Sequence, residues 1–431
     1  MKAAFYTLGC KVNQYESQAM GEFLRKNGFE TVPHTEKADI YIINSCTVTG
    51  TGDKKSRQAV RRFKRMYPDC ITVLTGCMPQ AYPEKAKELT QADIVMGNRN
   101  NTELLRLIEE YIRQGKRIFN VCTHEIGEKF SGDTITSFEE RTRAFLKIQD
   151  GCNRRCSYCI IPTSRGFVRS KPLDEIKEEA KHLAESGYKE IVLVGINLSS
   201  YGRDLENVTF PMAVEAVCET ERIERVRLGS LEPDHITDEV IDALASLKKF
   251  CPQFHISLQS GCDKTLKAMN RHYTAQEYYD LCVKLRDKFK NASLTTDLMV
   301  GFPGETDEDF EESLRFCEKV GFEKVHVFPY SRRPGTKADK MENQIEKSEK
   351  ERRAARAIEV CEKIREEKIR EALGTSEEVL FESRTHDGFS EGYTENYTPV
   401  RVKADDCLIG KIAKVKLSEY RDGFCYGEIE K

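Results

Sequence analysis

Residues 145–159 read FLKIQDGCNRRCSYC, an apolar β-type run followed by Cys152, Cys156 and Cys159 in the spacing C-x3-C-x2-C. Three thiolates in one tight loop can wrap a cubic iron-sulfur cluster, which normally takes four ligands, so one iron stays open to another molecule. The alternatives are zinc, for which a nearby fourth ligand is expected, and three unrelated structural thiols. Five further apolar runs follow: IVLVG (191–195), RVRLG (225–229), FHISL (254–258), DLMVG (297–301) and KVHVF (324–328). Each interval between runs carries a helical pattern. In PLDEIKEEAKHLAESG, Ile176, Ala180, Leu183 and Ala184 share a face and Gly187 follows. Thr306 with Asp309 has the form of a capping box opening another helix. Six βα units are too few for the usual eight-stranded barrel. Residues 143–373 are therefore predicted to form a partial (β/α)6 barrel ending in a charged, Ala-rich helix.

Upstream, AAFYTL (3–8), DIYIIN (39–44), ITVLT (71–75) and DIVMG (93–97) alternate with helical patterns, the rhythm of a parallel α/β domain over residues 1–123. Ala19, Met20, Phe23 and Leu24 share one helical face, with Gly28 placed to end that helix. The polar stretch 124–142 has no sustained period and reads as a linker. Residues 375–431 change character. EVLFES, YTPVRVK, KIAKVKLSEY and GFCYGEI are short β-type runs separated by Gly, Asp and Asn, which predicts a small all-β barrel. The fold class is thus α/β with an all-β appendage. A length of 431 residues accommodates these domains, each with its own core.

The formal charge is 68 minus 71, or -3, which gives no global sign of nucleic-acid binding, so such contacts need local patches. No apolar run approaches a membrane span, and MKAAFYTLGC lacks the marks of a secretory signal, so the expected location is the cytoplasm, with no membrane partner. Sixteen cysteines in such a chain point to metal ligation or catalysis rather than disulfides. Cys10, Cys46 and Cys77 each lie just beyond a predicted parallel strand, where ligands bind in open α/β sheets. Strand order can gather them around a second cluster, or they can be separately packed buried thiols. Cys122 has a similar context, whereas Cys70 precedes its strand.

The segment GDKKSRQAVRRFKRMYP predicts a helix with Lys54, Arg57, Arg61 and Arg65 in one stripe and Ala59, Val60, Phe63 and Met66 inward. The stripe suits phosphates or is a solvated face. In the last domain acidic residues outnumber basic ones twelve to eight, although Arg401, Lys403, Lys411, Lys414 and Lys416 can form a local patch. GFPGET lacks the pattern of a phosphate loop and reads as a turn into a capped helix.

The loop at 151–159 resembles that of the S-adenosylmethionine radical enzymes, whose partial barrel carries the motif after its first strand. The resemblance implies that the open iron of the cluster on Cys152, Cys156 and Cys159 chelates the amino and carboxylate groups of S-adenosylmethionine. Cleavage of the sulfonium then gives a 5'-deoxyadenosyl radical. It also places Tyr158 near the adenine, against ordinary packing beside the loop. Asn197, Glu232 and Gln259, in GINLSSYG, GSLEP and LQSG, lie toward the barrel mouth, where polar groups orient S-adenosylmethionine or simply cap loops. TLGCKVNQYESQ, INSCTVT and TGCMPQ are similar to the N-terminal domain of the methylthiotransferases, and the C-terminal 57 residues resemble their RNA-binding TRAM barrel. This second resemblance carries a [4Fe-4S] cluster onto Cys10, Cys46 and Cys77 but assigns nothing to Cys122. The GCKVNQYES form implies the branch that converts N6-threonylcarbamoyladenosine at position 37 of tRNA, beside the anticodon, to its 2-methylthio derivative. The resemblance further implies that one S-adenosylmethionine methylates sulfur at the N-terminal cluster and another supplies the radical. An electron donor and a sulfur source are implied partners. Competing expectations are isopentenyladenosine in tRNA or an aspartate of a ribosomal protein as substrate, and, outside enzymes, an iron-sulfur redox sensor that binds RNA. The residues that read the threonylcarbamoyl group are left unassigned.

Overall fold

The computed structural model describes residues 1–99, 101–131, 134–136, 142–403 and 408–430; parts of the expected linker and Cys407 lie outside the described residues. In the N-terminal domain, strands β1 (Lys2–Thr7), β2 (Glu30–Val32), β3 (Ile40–Ser45), β4 (Ile71–Gly76), β5 (Ile94–Met96) and β6 (Ile118–Asn120) form one parallel sheet, ordered β2-β1-β3-β4-β5-β6. Helices α1 (Lys11–Lys26), α2 (Gly50–Met66), α3 (Cys77–Ala81), α4 (Pro83–Lys87) and α5 (Leu104–Gln114) connect the strands. Every residue of β3 and β4 is buried, as expected of strands covered on both faces. The chain moves from β1 to β2 and then returns to the other side of β1 for β3. That reversal opens a crevice at the carboxyl ends of β1 and β3.

The central domain runs β7 (Arg143–Lys147), β8 (Gln149–Asp150), α6 (Ile161–Arg165), β9 (Arg169–Ser170), α7 (Leu173–Glu185), β10 (Glu190–Val194), α8 (Phe210–Cys218), β11 (Arg225–Leu228), β12 (Ser230–Leu231), α9 (Asp238–Ala245), β13 (Gln253–Ile256), α10 (Asp263–Ala268), α11 (Ala275–Lys288), β14 (Ser293–Val300), α12 (Asp307–Val320) and β15 (Lys324–Pro329). All six expected strands are present, in a parallel arc β7-β10-β11 that continues as β12-β13-β14-β15. The third strand is divided into β11 and β12 at Gly229, whose N–H makes the last bond to β10, at the Leu193 carbonyl (2.8 Å), before Ser230 pairs with β13. No pairing joins β15 to β7 among the described residues, so the barrel is open along that seam. Thr306 and Asp309 make both bonds of the expected capping box. On α1, Val12, Tyr15 and Ala19 enter the core of this central domain, while Met20 and Leu24 pack under the N-terminal sheet. One helix thus serves two cores.

Helix α13 (Lys347–Arg370) leads into β16 (Ser376–Arg384), β17 (Phe389–Thr394), β18 (Pro399–Lys403), β19 (Ile412–Arg421) and β20 (Phe424–Ile429), a closed barrel ordered β16-β17-β18-β20-β19. This barrel docks on the amino-terminal ends of the central strands. Arg225 donates to the carbonyls of Glu378 and Tyr393, and Arg227 to those of Thr394 and Glu395. Arg143 pairs with Glu382 and, like Arg227, lies over the Tyr397 ring. No helix among the described residues is long and apolar enough to cross a membrane.

Arg227 and its partner Glu190 are both almost fully buried, at 2% and 1% exposure, so removing the cation leaves a buried carboxylate with only Arg143, at 3.8 Å, beside it. Arg227→Met is expected to cost about 3–5 kcal/mol and to loosen the C-terminal barrel. Hydrogen exchange should quicken across residues 376–430 while the N-terminal sheet keeps its protection. Unchanged exchange in both regions would show that the arginine clamp carries no load.

Candidate functional site

Cys10, Cys46 and Cys77 follow β1, β3 and β4, three adjacent strands whose order places them at one end of the sheet, at the crevice. Two glycines make the approach close. A Cβ on Gly9, whose φ is +103°, would stand 2.9 Å from Cys46 Cβ and 3.1 Å from its Sγ. A Cβ on Gly76 (φ +91°) would meet Asn44 Oδ1 at 2.5 Å and the Ser45 backbone at 2.6 Å. Cys122 follows β6, two strands beyond β4, and so is displaced by about 10 Å across the sheet. Its carbonyl accepts from Gln80 Nε2 at 2.7 Å. Cys70 sits at the opposite end of β4, buried against α2.

Arg165, from the short helix that follows the three-cysteine loop, crosses into this site. It is completely buried, and its Nε donates to Cys77 Sγ at 3.2 Å. Its Nη2 reaches Asn13 Oδ1 (2.7 Å) and Glu16 Oε2 (2.9 Å), and Nη1 pairs with the other Glu16 oxygen. Lys147 binds Glu16 (2.8 Å) and Asp150 (2.6 Å) from the side. Burial alone would raise both carboxylates, but the adjacent Arg165 and Lys147 charges hold them below the usual range. Burial pushes the Cys77 thiol up to about 12 against the pull of Arg165. A thiol so buried ionises when a metal replaces its proton, and Arg165 donates to the sulfur that results.

In the central domain the loop is pinned by Ser157, whose N–H bonds the Met269 carbonyl (2.9 Å) and whose carbonyl accepts from Ala338 N–H (2.7 Å). Asn197 Nδ2 lies 3.6 Å from Cys152 Sγ, and Arg271 Nη1 lies 3.4 Å from Cys156 Sγ. Donors aimed at the sulfurs of a ligand set are what a cluster site requires of its surroundings. Among the described residues, no three His, Cys, Asp or Glu side chains converge as ligands of a single ion would; the thiolates of a cubane bind different irons. Both triads fit a cluster on these grounds.

Glu232 is bound by Arg271 at 2.5 Å, beside Cys156. Gln259 stands at the end of β13 with φ +67° and a buried Oε1 that has no partner, an orphaned acceptor at the mouth. Tyr158 packs with Met269, Met299, Phe302 and Tyr330. Arg165 and Arg271 were not singled out in the sequence. The one signal for Arg165 is its place in IIPTSRG, immediately after the loop. On α2, Lys54, Arg61 and Arg65 are exposed, but Met66 is exposed as well, against the expectation that it faces inward. Arg401, Lys414 and Lys416 are occupied by Glu391, Glu430 and the Gly374 carbonyl, which depletes the expected C-terminal patch.

Residues 146–317 match the Radical SAM superfamily, residues 2–97 the uncharacterized protein family UPF0004 and residues 370–429 the TRAM domain. The threonylcarbamoyladenosine tRNA methylthiotransferase MtaB of Bacillus subtilis is 39% identical over 430 residues, covering 99% of this chain and 95% of that protein. The chain belongs to the methylthiotransferase family. A second relative of this methylthiotransferase, the tRNA-2-methylthio-N(6)-dimethylallyladenosine synthase of Finegoldia magna, is 35% identical over 98% of this chain and 93% of its own. The solved radical S-adenosylmethionine methyltransferase TsrM of Kitasatospora setae shares the fold, with a TM-score of 0.58 at 13% identity over 78% of this chain and 73% of that one. As a radical S-adenosylmethionine methylthiotransferase, the protein works with a [4Fe-4S] cluster and S-adenosylmethionine.

Iron analysis of anaerobically reconstituted protein tests the N-terminal geometry. Gly9→Ala, which drives a methyl group into Cys46, is expected to lower bound iron by about half, whereas Cys122→Ser should keep all of it. Iron loss in the Cys122 variant, with Gly9→Ala unaffected, would overturn the assignment of Cys10, Cys46 and Cys77.

Proposed function

We propose that this methylthiotransferase converts N6-threonylcarbamoyladenosine in tRNA to its 2-methylthio derivative. The observation that carries the reading is the chain-long match to threonylcarbamoyladenosine tRNA methylthiotransferases, which are 37–39% identical, against 34–36% for dimethylallyladenosine synthases. Cys152, Cys156 and Cys159 hold the radical-generating cluster, and Cys10, Cys46 and Cys77 hold a second [4Fe-4S] cluster. The target C2–H bond has no acidic proton, so general-base catalysis has nothing to remove. When bound, the cofactors at the central triad supply a carbon radical that takes the hydrogen atom, and the N-terminal cluster supplies the sulfur.

The chain's own residues do the positioning. Asn197 and Arg271 hold the sulfurs of Cys152 and Cys156, and Gln259 offers its unpaired oxygen to the S-adenosylmethionine ammonium. Glu232 fixes Arg271, and Tyr158 lies beside the adenine. Arg165 ties the N-terminal thiols to the central loop, so both triads address one substrate atom. The exposed cations of α2 take tRNA phosphates, and the C-terminal barrel adds RNA contacts that its own charge does not predict. An external reductant and a sulfur source complete the turnover.

Replacing Cys10, Cys46 and Cys77 together by Ala should abolish 2-methylthio nucleoside while 5'-deoxyadenosine still forms from S-adenosylmethionine under reduction. Both products are read by mass spectrometry from one reaction, with bound iron measured in parallel. Continued methylthiolation by the triple variant would sink the division of labour. Unchanged nucleosides in tRNA from cells lacking the gene would sink the substrate.

A further inference from the structure

Residues 330–338, YSRRPGTKA, follow β15, the last strand of the arc, and meet both ligand sets. At one end the Ala338 N–H donates to the Ser157 carbonyl (2.7 Å), inside the three-cysteine loop, and Tyr330 and Ala338 pack in the apolar cluster that Tyr158 joins. At the other end Arg333 enters the N-terminal domain. Its Nη2 donates to Thr47 Oγ1 (2.9 Å) and pairs with Asp53, whose carboxylate accepts from the same hydroxyl at 2.6 Å. Ser331 Oγ accepts from the Gly50 N–H (2.9 Å), and the Pro334 carbonyl accepts from the Tyr82 hydroxyl (3.1 Å). The segment is also closed on itself. Thr336 Oγ1 donates to the Arg333 carbonyl (2.8 Å) and Arg332 Nη2 to the Asp339 carbonyl (2.7 Å).

Thr47 is the neighbour of Cys46, and Cys46 is confined by its own domain on two sides. Gly9 touches its side chain, and a Cβ on Gly52 would stand 3.1 Å from its carbonyl oxygen. The central domain supplies the third restraint, through Arg333. The Arg333 and Asp53 side chains are only 4% and 11% exposed. Apolar packing would join two domains at less cost than a buried ion pair, whereas a charged fork accepts its partners in one geometry. Arg165 reaches Cys77 from the helix that follows the three-cysteine loop. Arg333 reaches the turn at Cys46 from the other end of the arc, 168 residues later in the chain.

We propose that Arg333 is a positioning residue for sulfur transfer: by holding Thr47 it fixes Cys46, and with it the N-terminal triad, relative to the loop that Ala338 pins. The proposal rests on the two-triad reading given above and adds a residue that keeps the triads in register. Without this tie the central triad still has Asn197 and Arg271 on its sulfurs, so S-adenosylmethionine is still cleaved, but fewer cleavage events end in methylthiolation.

The test counts both products in one reaction of reconstituted full-length protein with threonylcarbamoyladenosine tRNA. Hydrogen exchange of residues 46–52 is read on the same protein without S-adenosylmethionine. Arg333→Met should keep cleavage in the absence of tRNA and raise 5'-deoxyadenosine per 2-methylthio nucleoside roughly 10- to 100-fold, the effect of a misplacement of about 1 Å. Exchange over 46–52 should quicken. Arg333→Lys keeps the charge beside Asp53 but lacks the fork that also reaches Thr47, and should restore part of the coupling. Ser331→Ala with Tyr82→Phe leaves the buried pair intact and should raise the ratio severalfold. A wild-type ratio in Arg333→Met would overturn the proposal, as would a fall of both products in equal proportion, which is what a merely structural role gives. Should Arg333→Met lose its iron, the Ser331 and Tyr82 variant decides: a raised ratio upholds the tie and a wild-type ratio overturns it. Methylthiolation that survives removal of Cys10, Cys46 and Cys77 would instead bring down the two-triad reading, an outcome seen in a different variant from those that test Arg333.

Discussion

The guanidinium of Arg165 is the contact on which the two-domain site depends. A buried cation is tolerated only with opposite charge and filled hydrogen bonds around it. Here every arm is spent: Nε on Cys77, Nη2 on Asn13 and Glu16, and Nη1 on Glu16 with Asp150 at 3.4 Å. The partners come from α1, from the start of α3 and from β8, so one side chain fixes three segments. Lys147 repeats the bridge by holding Glu16 to Asp150. Removing any single charge from such a group strands the others, so the arrangement is held as a unit rather than pair by pair.

On the proposed reading, that coupling is what lets two triads whose residues lie in different domains act on one atom. Arg165 stands six residues beyond Cys159 and touches Cys77 directly. The link between the two sets thus runs through one short helix, with Asn98 bonding both Cys77 Sγ and the Ser164 carbonyl (2.8 Å) beside it. Rigid placement within a fraction of an ångström is what radical transfer to a chosen carbon asks of a protein.

Much of this was legible in the sequence where period and spacing carry the information. The six central runs, the four N-terminal runs and the capping box at Thr306 all appear where hydrophobic rhythm put them. Strands β2 and β6 are as short as β5 but, unlike it, hold no fully buried residue, so they lack its apolar run. Strand order is a different matter. Cys122 and Cys77 have the same local context, and only the position of β6 at the sheet edge separates them. Nor does local pattern show which cations are already paired. Arg401, Lys414 and Lys416 read as a patch until the fold supplies Glu391, Glu430 and a carbonyl. Arg165 was invisible for the same reason, because its carboxylate partner Glu16 lies 149 residues away.

The placement of the C-terminal barrel sets a condition on any RNA that uses both ends of the molecule. Arg143 and Arg225, which grip that barrel, are the first residues of β7 and β11, whereas Cys152 lies beyond the far end of β7. Strand β7 is five residues long, so base and mouth are separated by at least roughly 16 Å. The strands are covered by helices on their outer face, and among the described residues no pairing joins β15 to β7. An RNA held at the base that also delivers a base to the cysteines must therefore run along an outer flank or follow that seam.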